Sequence, residues 1–257
     1  MEIHPTALVH KNAEIGEGTR VGAFAIVEAG VKLGQNCVIH DHAIVQGRTT
    51  CGDEVQIHPF AVVGGPPQHL KYQGEPTETV LGDRVTIREM VTVHRGTPMG
   101  VGKTSIGEGT LLMAYTHVAH DCQIGKHVIV ANAVQFAGHV QVEDCANFGG
   151  QSAVAPFCRI GRYCFIGGGS ILRKDLPPFL AGKGTHFKVQ AINVVGLTRH
   201  GFSEKTVSHL KKVFKIFYMQ HLTVAQATDK ILTEIGETDE VKVFLDFVRS
   251  SKMGFIR

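Results

Sequence analysis

The chain has 257 residues, 43% apolar and 19% charged, with a formal net charge of +3. That composition excludes a disordered or collagen-like polymer and allows one large domain, or one with a small appendage. The opening Met1-Glu2-Ile3-His4 has no basic start followed by an apolar run, and no stretch reaches about 18 uninterrupted apolar residues, so neither a secretory signal nor a transmembrane helix is expected and the location is read as cytoplasmic.

From the first residues the chain repeats with a period of six. Ile3, Val9, Ile15, Val21, Val27, Leu33, Ile39, Val45, Cys51 and Ile57 follow one another at that step, and four residues after each stands a small or β-branched one, from Ala7 and Ala13 to Val55 and Ala61. The register lapses over Gly64 to Thr79, returns for Leu81, Ile87 and Val93, and lapses again over Gly96 to Ser105. It then runs unbroken from Ile106 to Leu172. A strand alternates and a helix repeats every 3.6 residues, so a sustained period of six fits neither alone. It fits a triangular solenoid in which three hexads close a coil, the aliphatic residue fills the interior and the small one fits near a corner. Coils would then stack at roughly 4.8 Å, the inter-strand spacing. Each buried aliphatic contributes roughly 1.5–3 kcal/mol before chain entropy is subtracted, so such a core needs no disulfides. Cys37, Cys122, Cys158 and Cys164 take the small position and Cys51 the aliphatic one, reading as core filler in a reducing compartment; Cys145 lies off the pattern.

After Pro177-Pro178 the repeat is gone. Ser203 precedes the stripe Val207, Leu210, Val213, Phe214 and Phe217 as an N-cap; Thr223 to Gln226 reads as a capping box; Val241, Phe244, Leu245 and Val248 mark a third helix. The expected division is a β-solenoid over residues 1–188 and a three-helix domain over 189–257, packed together through the Phe and Val stripe. Residues 188–257 carry 11 Lys and Arg against 7 Asp and Glu, while the remainder is balanced. That tail can recruit an acidic partner but lacks the dense basic stripe of a nucleic-acid binder.

A filled solenoid leaves only its outer faces, its loops and its subunit boundaries for function. Thr116-His117-Val118-Ala119-His120-Asp121-Cys122 and Ala137-Gly138-His139-Val140 stand apart among fifteen histidines. Asp121 and His139 are eighteen residues apart, which predicts that they stack on neighbouring coils beside His117 and His120 in an outer patch. No serine or cysteine elbow, glycine-rich phosphate loop or zinc-spaced cysteine pair is present. What remains is a histidine base that moves a proton during attack on a carbonyl, with a carboxylate to hold its tautomer and the Gly138 N–H as an oxyanion donor. No metal or other cofactor is called for.

The hexads resemble the left-handed parallel β-helix of the hexapeptide-repeat acyltransferases. Leu70-Lys71-Tyr72-Gln73-Gly74-Glu75-Pro76-Thr77, Val93-His94-Arg95-Gly96-Thr97, the two histidine segments and Gly196 to Ser203 narrow the resemblance to the UDP-N-acetylglucosamine acyltransferase family. The resemblance implies transfer of a hydroxyacyl chain from acyl carrier protein to the glucosamine 3-position of a UDP-sugar in lipid A synthesis. It makes His120 the general base, Asp121 its orienting partner and Gly138 the oxyanion donor. Lys71, His117 and His139 would contact donor or sugar, Asn193 and Arg199 the nucleotide, while Gly168 and His186 would line or end the acyl channel. It also implies a homotrimer with sites between subunits.

Several positions depart from the family pattern. His69, still placed in the substrate site, stands where the family has Asp; Ala155-Pro156 replaces His-Gln; Val195 replaces Glu; and His200 replaces the second Arg of a pair. An acceptor with a 3-amino group therefore stays open, as does a non-catalytic scaffold. A γ-class carbonic anhydrase, with zinc held by three histidines, would draw on His117, His120 and His139. The related N-acyltransferase carries a uridine-binding domain ahead of its prism, for which hexads beginning at Ile3 leave no room.

Overall fold

Each hexad folds into a two-residue strand followed by a turn. In Ile26–Val27, for instance, Val27 is buried and Ile26 faces outward half-covered. The computed structural model covers residues 1–257. Its strands form the three walls of a left-handed parallel β-helix: one of eleven strands beginning at Glu2–Ile3, one of nine beginning at Leu8–Val9, and one of eight beginning at Glu14–Ile15. These are the first, second and third walls below. Leu8 pairs with Ile26, Gln123 with Gln141 and Ile129 with Asn147, so eighteen residues do complete one coil.

The inward aliphatics stack into one continuous core from Val21 to Leu172, joined by the C-terminal helices. Phe136 and Phe148 take two of these positions with rings edge to face at 5.0 Å. The small position has a second physical role. Thr19 Oγ1 donates to the Gly34 carbonyl and accepts from the Cys37 N–H, and Thr110 does the same for Gly125 and Val128. Cysteine can take over the donor half of that role, since the Cys37, Cys122 and Cys164 thiols donate to carbonyls of Gly52, Ala137 and Pro177. Cys145 occupies a different recurring place, the corner residue with left-handed backbone (φ 60°), which also holds Asp121 and His139.

Both lapses in register are insertions between coils. Val62 pairs with Thr92, a step of 30 residues, and Thr92 with His117, a step of 25. The extra chain, residues 66–77 and 95–102, leaves the prism each time between the second and third walls. The two loops therefore emerge at one corner, directly before the coil that carries His120 and Asp121.

The prism ends in an antiparallel pair, Leu180–Lys183 with Lys188–Ile192. Four helices follow, one more than the apolar stripes predict: α1 (Val194–Arg199), α2 (Glu204–Met219), α3 (Val224–Glu234) and α4 (Asp239–Ser250). The first is too short for a stripe and is set by Asn193, whose Oδ1 accepts from Gly196 N–H. Ser203 caps α2, Thr223 and Gln226 form the capping box of α3, and Thr238 caps α4. Arg159, on the third wall, lays its guanidinium 4.3 Å from the Phe247 ring centre and donates to Ser250, tying α4 to the prism. No helix is long and apolar enough to cross a membrane.

Phe148→Ala, removing a fully buried ring from the middle of the stack, is expected to cost about 3–5 kcal/mol in a denaturant titration.

Candidate active site

Asp121 follows the strand His117–Val118 and takes left-handed backbone (φ 61°) as the chain turns from the second wall to the third. Its side chain is completely buried under the loop 95–102. The carboxylate accepts from the Thr97 N–H with both oxygens at 3.1 Å, from Thr97 Oγ1 at 2.6 Å and from the Gly102 N–H at 3.1 Å. Oδ2 also lies 2.9 Å from His120 Nδ1. Burial by itself pushes the Asp121 carboxyl up, but the bonds from Thr97 and His120, with His139 nearby, outweigh it and hold the group below the usual carboxylate range. An ionised carboxylate can only accept, so the shared proton sits on His120 Nδ1 and the lone pair is left on Nε2.

His139 occupies the same corner one coil later (φ 63°), and its backbone N–H donates to the His120 carbonyl. Its Nδ1 lies 3.9 Å from Asp121 Oδ2. The ring stacks on Phe157 at 4.5 Å and meets His120 edge on at 5.0 Å. His69, from the loop 66–77, meets His120 edge on at 5.2 Å. Beneath the His120 ring lies Gly138, where a Cβ would come within 2.8 Å of Nε2. Any side chain there would displace the imidazole. The Gly138 N–H has no acceptor within the chain.

The corner thus gathers His120, Asp121, His139, Gly138 and His69. It differs from the expected outer patch in two respects: Asp121 is an interior residue, and His117 stands round the corner on the second wall, its Nδ1 2.7 Å from Thr92 Oγ1. Atoms of His120, Asp121 and His139 come within 4.8 Å of one another and could hold a metal ion, but His117 is not of that group and the Asp121 oxygens are taken by protein donors. Within one chain His117, His120 and His139 do not converge on a common point as the carbonic anhydrase reading would require.

The remaining predicted residues lie elsewhere on this prism. Lys71 is exposed on the loop 66–77, which is anchored where Arg95 donates to the Tyr72 hydroxyl and the Gly64 carbonyl. Arg199 and Asn193 line a cavity of about 470 Å³ over the first wall, with His127, Phe165, Val195 and His200. Both polar atoms of the Asn193 amide serve the backbone, Oδ1 capping α1 and Nδ2 donating to the Tyr163 carbonyl. His186 sits at the far end of the prism beside Ile171 and Phe255, and Gly168 at the turn between first and second walls, close to Gly150.

Thr92, His94, Thr97, Gly100 and Gly102 escaped the sequence reading of the site. The register lapse at Gly96 marked the last three, and the segment Val93-His94-Arg95-Gly96-Thr97 marked His94 and Thr97, but neither signal gave them a role. His94 is buried edge on to His117 at 4.9 Å, and its Nδ1 has no partner.

Residues 175–256 match the family model described as UDP-N-acetylglucosamine O-acyltransferase, domain 2, and residues 12–47 and 103–138 match that of the bacterial transferase hexapeptide. Two curated proteins, both named acyl-[acyl-carrier-protein]–UDP-N-acetylglucosamine O-acyltransferase, are similar end to end. That of Halorhodospira halophila is 45% identical and that of Paraburkholderia phymatum 47%, each covering 99% of both chains. Among solved structures, LpxA from Acinetobacter baumannii superposes with a TM-score of 0.96 at 37% identity, covering 100% of both chains.

Burial, with His117, His120 and Arg95 nearby, depresses His94 to about 4. The unfolded chain therefore binds the proton first, and this residue's contribution to stability is lost as pH falls from about 6.5 to about 4, by of order 3 kcal/mol. A fall in melting temperature across that window, shallower in His94→Asn, is the expected result of calorimetry.

Proposed function

This chain belongs to the UDP-N-acetylglucosamine O-acyltransferase family, and from that premise we propose how its residues carry out the reaction. The activity is transfer of an acyl group from acyl carrier protein to UDP-N-acetylglucosamine, a step of lipid A biosynthesis. His120 Nε2 takes the proton from the sugar 3-hydroxyl as its oxygen attacks the thioester carbon. The carbonyl oxygen becomes an oxyanion facing the Gly138 N–H. Collapse of that intermediate breaks the C–S bond, and the imidazolium returns its proton to the departing thiolate. The observation that carries this reading is the 2.9 Å contact between His120 Nδ1 and a fully buried carboxylate, which leaves Nε2 as the basic atom directly over Gly138. His69 and His139 flank His120 where donor and sugar would meet, with His117 on the adjoining wall and Lys71 on the exposed loop that carries His69.

In a triangular prism the corner between two walls is opposite the third. His120 sits at the corner of the second and third walls, whereas the cavity of Arg199 and Asn193 lies over the first. One copy therefore cannot bring both to one substrate. Packing the first wall of one copy toward the base-bearing corner of the next closes the gap, and a ring of three such prisms satisfies every copy equally. That geometry asks for a closed ring, and the family resemblance supplies the number: we read the enzyme as a homotrimer, with Arg199, beside Asn193, reaching the nucleotide from the neighbour and Gly168 and His186 along the acyl path. The exposed Lys71 and the basic C-terminal region fit an acidic carrier protein, whose binding would weaken with salt. Six free cysteines, five of them buried, fit a reducing compartment, and the cytoplasm is the proposed location.

His120→Ala should lower kcat for transfer from hydroxyacyl carrier protein to UDP-N-acetylglucosamine by about 10²–10⁴-fold in a mass-spectrometric assay. Unimpaired turnover in that variant would remove the mechanism. Mixing His120→Ala with Arg199→Ala protomers, each inactive alone, should restore about a quarter of wild-type activity if two copies share each site, because random assembly pairs two intact halves that often.

A further inference from the structure

The second insertion, residues 95–102, closes over Asp121. Thr97 is its hub. The backbone N–H of Thr97 and its hydroxyl both donate to the carboxylate, the hydroxyl at 2.6 Å to the same Oδ2 that faces His120. The hydroxyl in turn accepts from the Gly100 N–H at 3.1 Å, and the Thr97 carbonyl accepts from Gly100 and Gly102. Gly102 N–H reaches Asp121 Oδ1 as well. From the opposite side Thr104 Oγ1 accepts the Asp121 backbone N–H at 2.8 Å.

The loop is shaped around this carboxylate. At Gly100 a Cβ would lie 2.3–2.5 Å from it, so only glycine lets the backbone pass over. A Cβ at Gly96 would strike Gly102 and Lys103, where the loop closes on itself. Thr97 is 1% exposed, so no water competes for its hydroxyl. A carboxylate at a prism corner would otherwise point to solvent and be free to rotate.

We infer that Thr97 is a positioning residue for acyl transfer: its paired donors lock the Asp121 carboxylate so that Oδ2 holds the His120 Nδ1–H and Nε2 is kept as the base. Thr97 itself does not touch the reacting atoms; it acts through Asp121 and then His120. The inference rests on the proposed role of His120 as base.

The test compares Thr97→Val, which keeps the β-branched shape without the hydroxyl, with Thr97→Ser, which keeps the hydroxyl. Loss of a charge-assisted hydrogen bond predicts a kcat about 10–100-fold lower in Thr97→Val, with KM changed less than about threefold, and recovery to within about threefold of wild type in Thr97→Ser. The far-downfield proton resonance of the His120–Asp121 bond should shift in Thr97→Val and return in Thr97→Ser. In a His120→Ala background Thr97→Val should have almost no further effect, since residues acting as a unit are not additive. Thr97→Val retaining kcat within about twofold, a loss confined to KM, a serine variant as impaired as the valine one, or an undiminished effect in the His120→Ala background would each overturn the inference. If Thr97→Val does not fold, Thr97→Ala takes its place, with the same expected loss of kcat, the same resonance shift and the same overturning outcomes. A His120→Ala enzyme as active as wild type would instead defeat the functional reading from which it starts.

Discussion

Everything in this molecule is subordinate to the length of one coil. Eighteen residues return the chain to the same wall one strand spacing further on, as the pairing of Leu8 with Ile26 and of Gln123 with Gln141 demonstrates. That closure is enforced from inside. Each coil can present only three large aliphatics to an axis too narrow for more, and each corner has one small residue; at Thr19, Cys37 and Thr110 its hydroxyl or thiol satisfies a carbonyl of the next coil. A longer or bulkier repeat would leave either a void or an unpaired polar group, both of which are costly.

A core packed this regularly has no room for chemistry, and the protein gains its reactive corner by interrupting the repeat without breaking it. Both insertions leave between the second and third walls, and the strands after them resume their pairing, Glu78 with Arg48 and Lys103 with Glu78. The first insertion brings His69 against His120. The second buries the Asp121 carboxylate without leaving it unsatisfied, replacing water by three donors of its own beside the His120 Nδ1–H. Burial alone would favour the neutral acid; the donors reverse that balance and keep a fixed negative charge beside the imidazole. The left-handed corner conformation that every coil needs becomes useful here, since it places Asp121 and His139 on one edge.

The same triangular geometry accounts for the distribution of the other substrate-facing residues. The corner bearing His120 and the wall bearing Arg199 are opposite in one prism, which is the ground for proposing a site shared between two copies. The departures from the family pattern divide in the same way. His69 meets His120, whereas Val195 and His200 line the first-wall cavity, and neither group includes Asp121, His120 or Gly138.

The period of six was enough to derive the prism, the coil length, the inward residues and the adjacency of Asp121 and His139, because in a solenoid contact between distant residues is a simple function of sequence separation. The helices α2 to α4 were legible for a similar reason, as apolar stripes and caps are local. Chain pattern could not reveal α1, whose six residues are too few for a stripe, nor the burial of Asp121, nor the part of Thr97, Gly100 and Gly102. Those depend on the path of an irregular loop, and a loop is placed by contacts it makes only after the prism has formed. The sequence by itself determined which residues share a corner, since that follows from a fixed step along the chain; the tertiary structure alone decided which of them is interior and charged, since that is set by donors arriving from a segment outside the repeat.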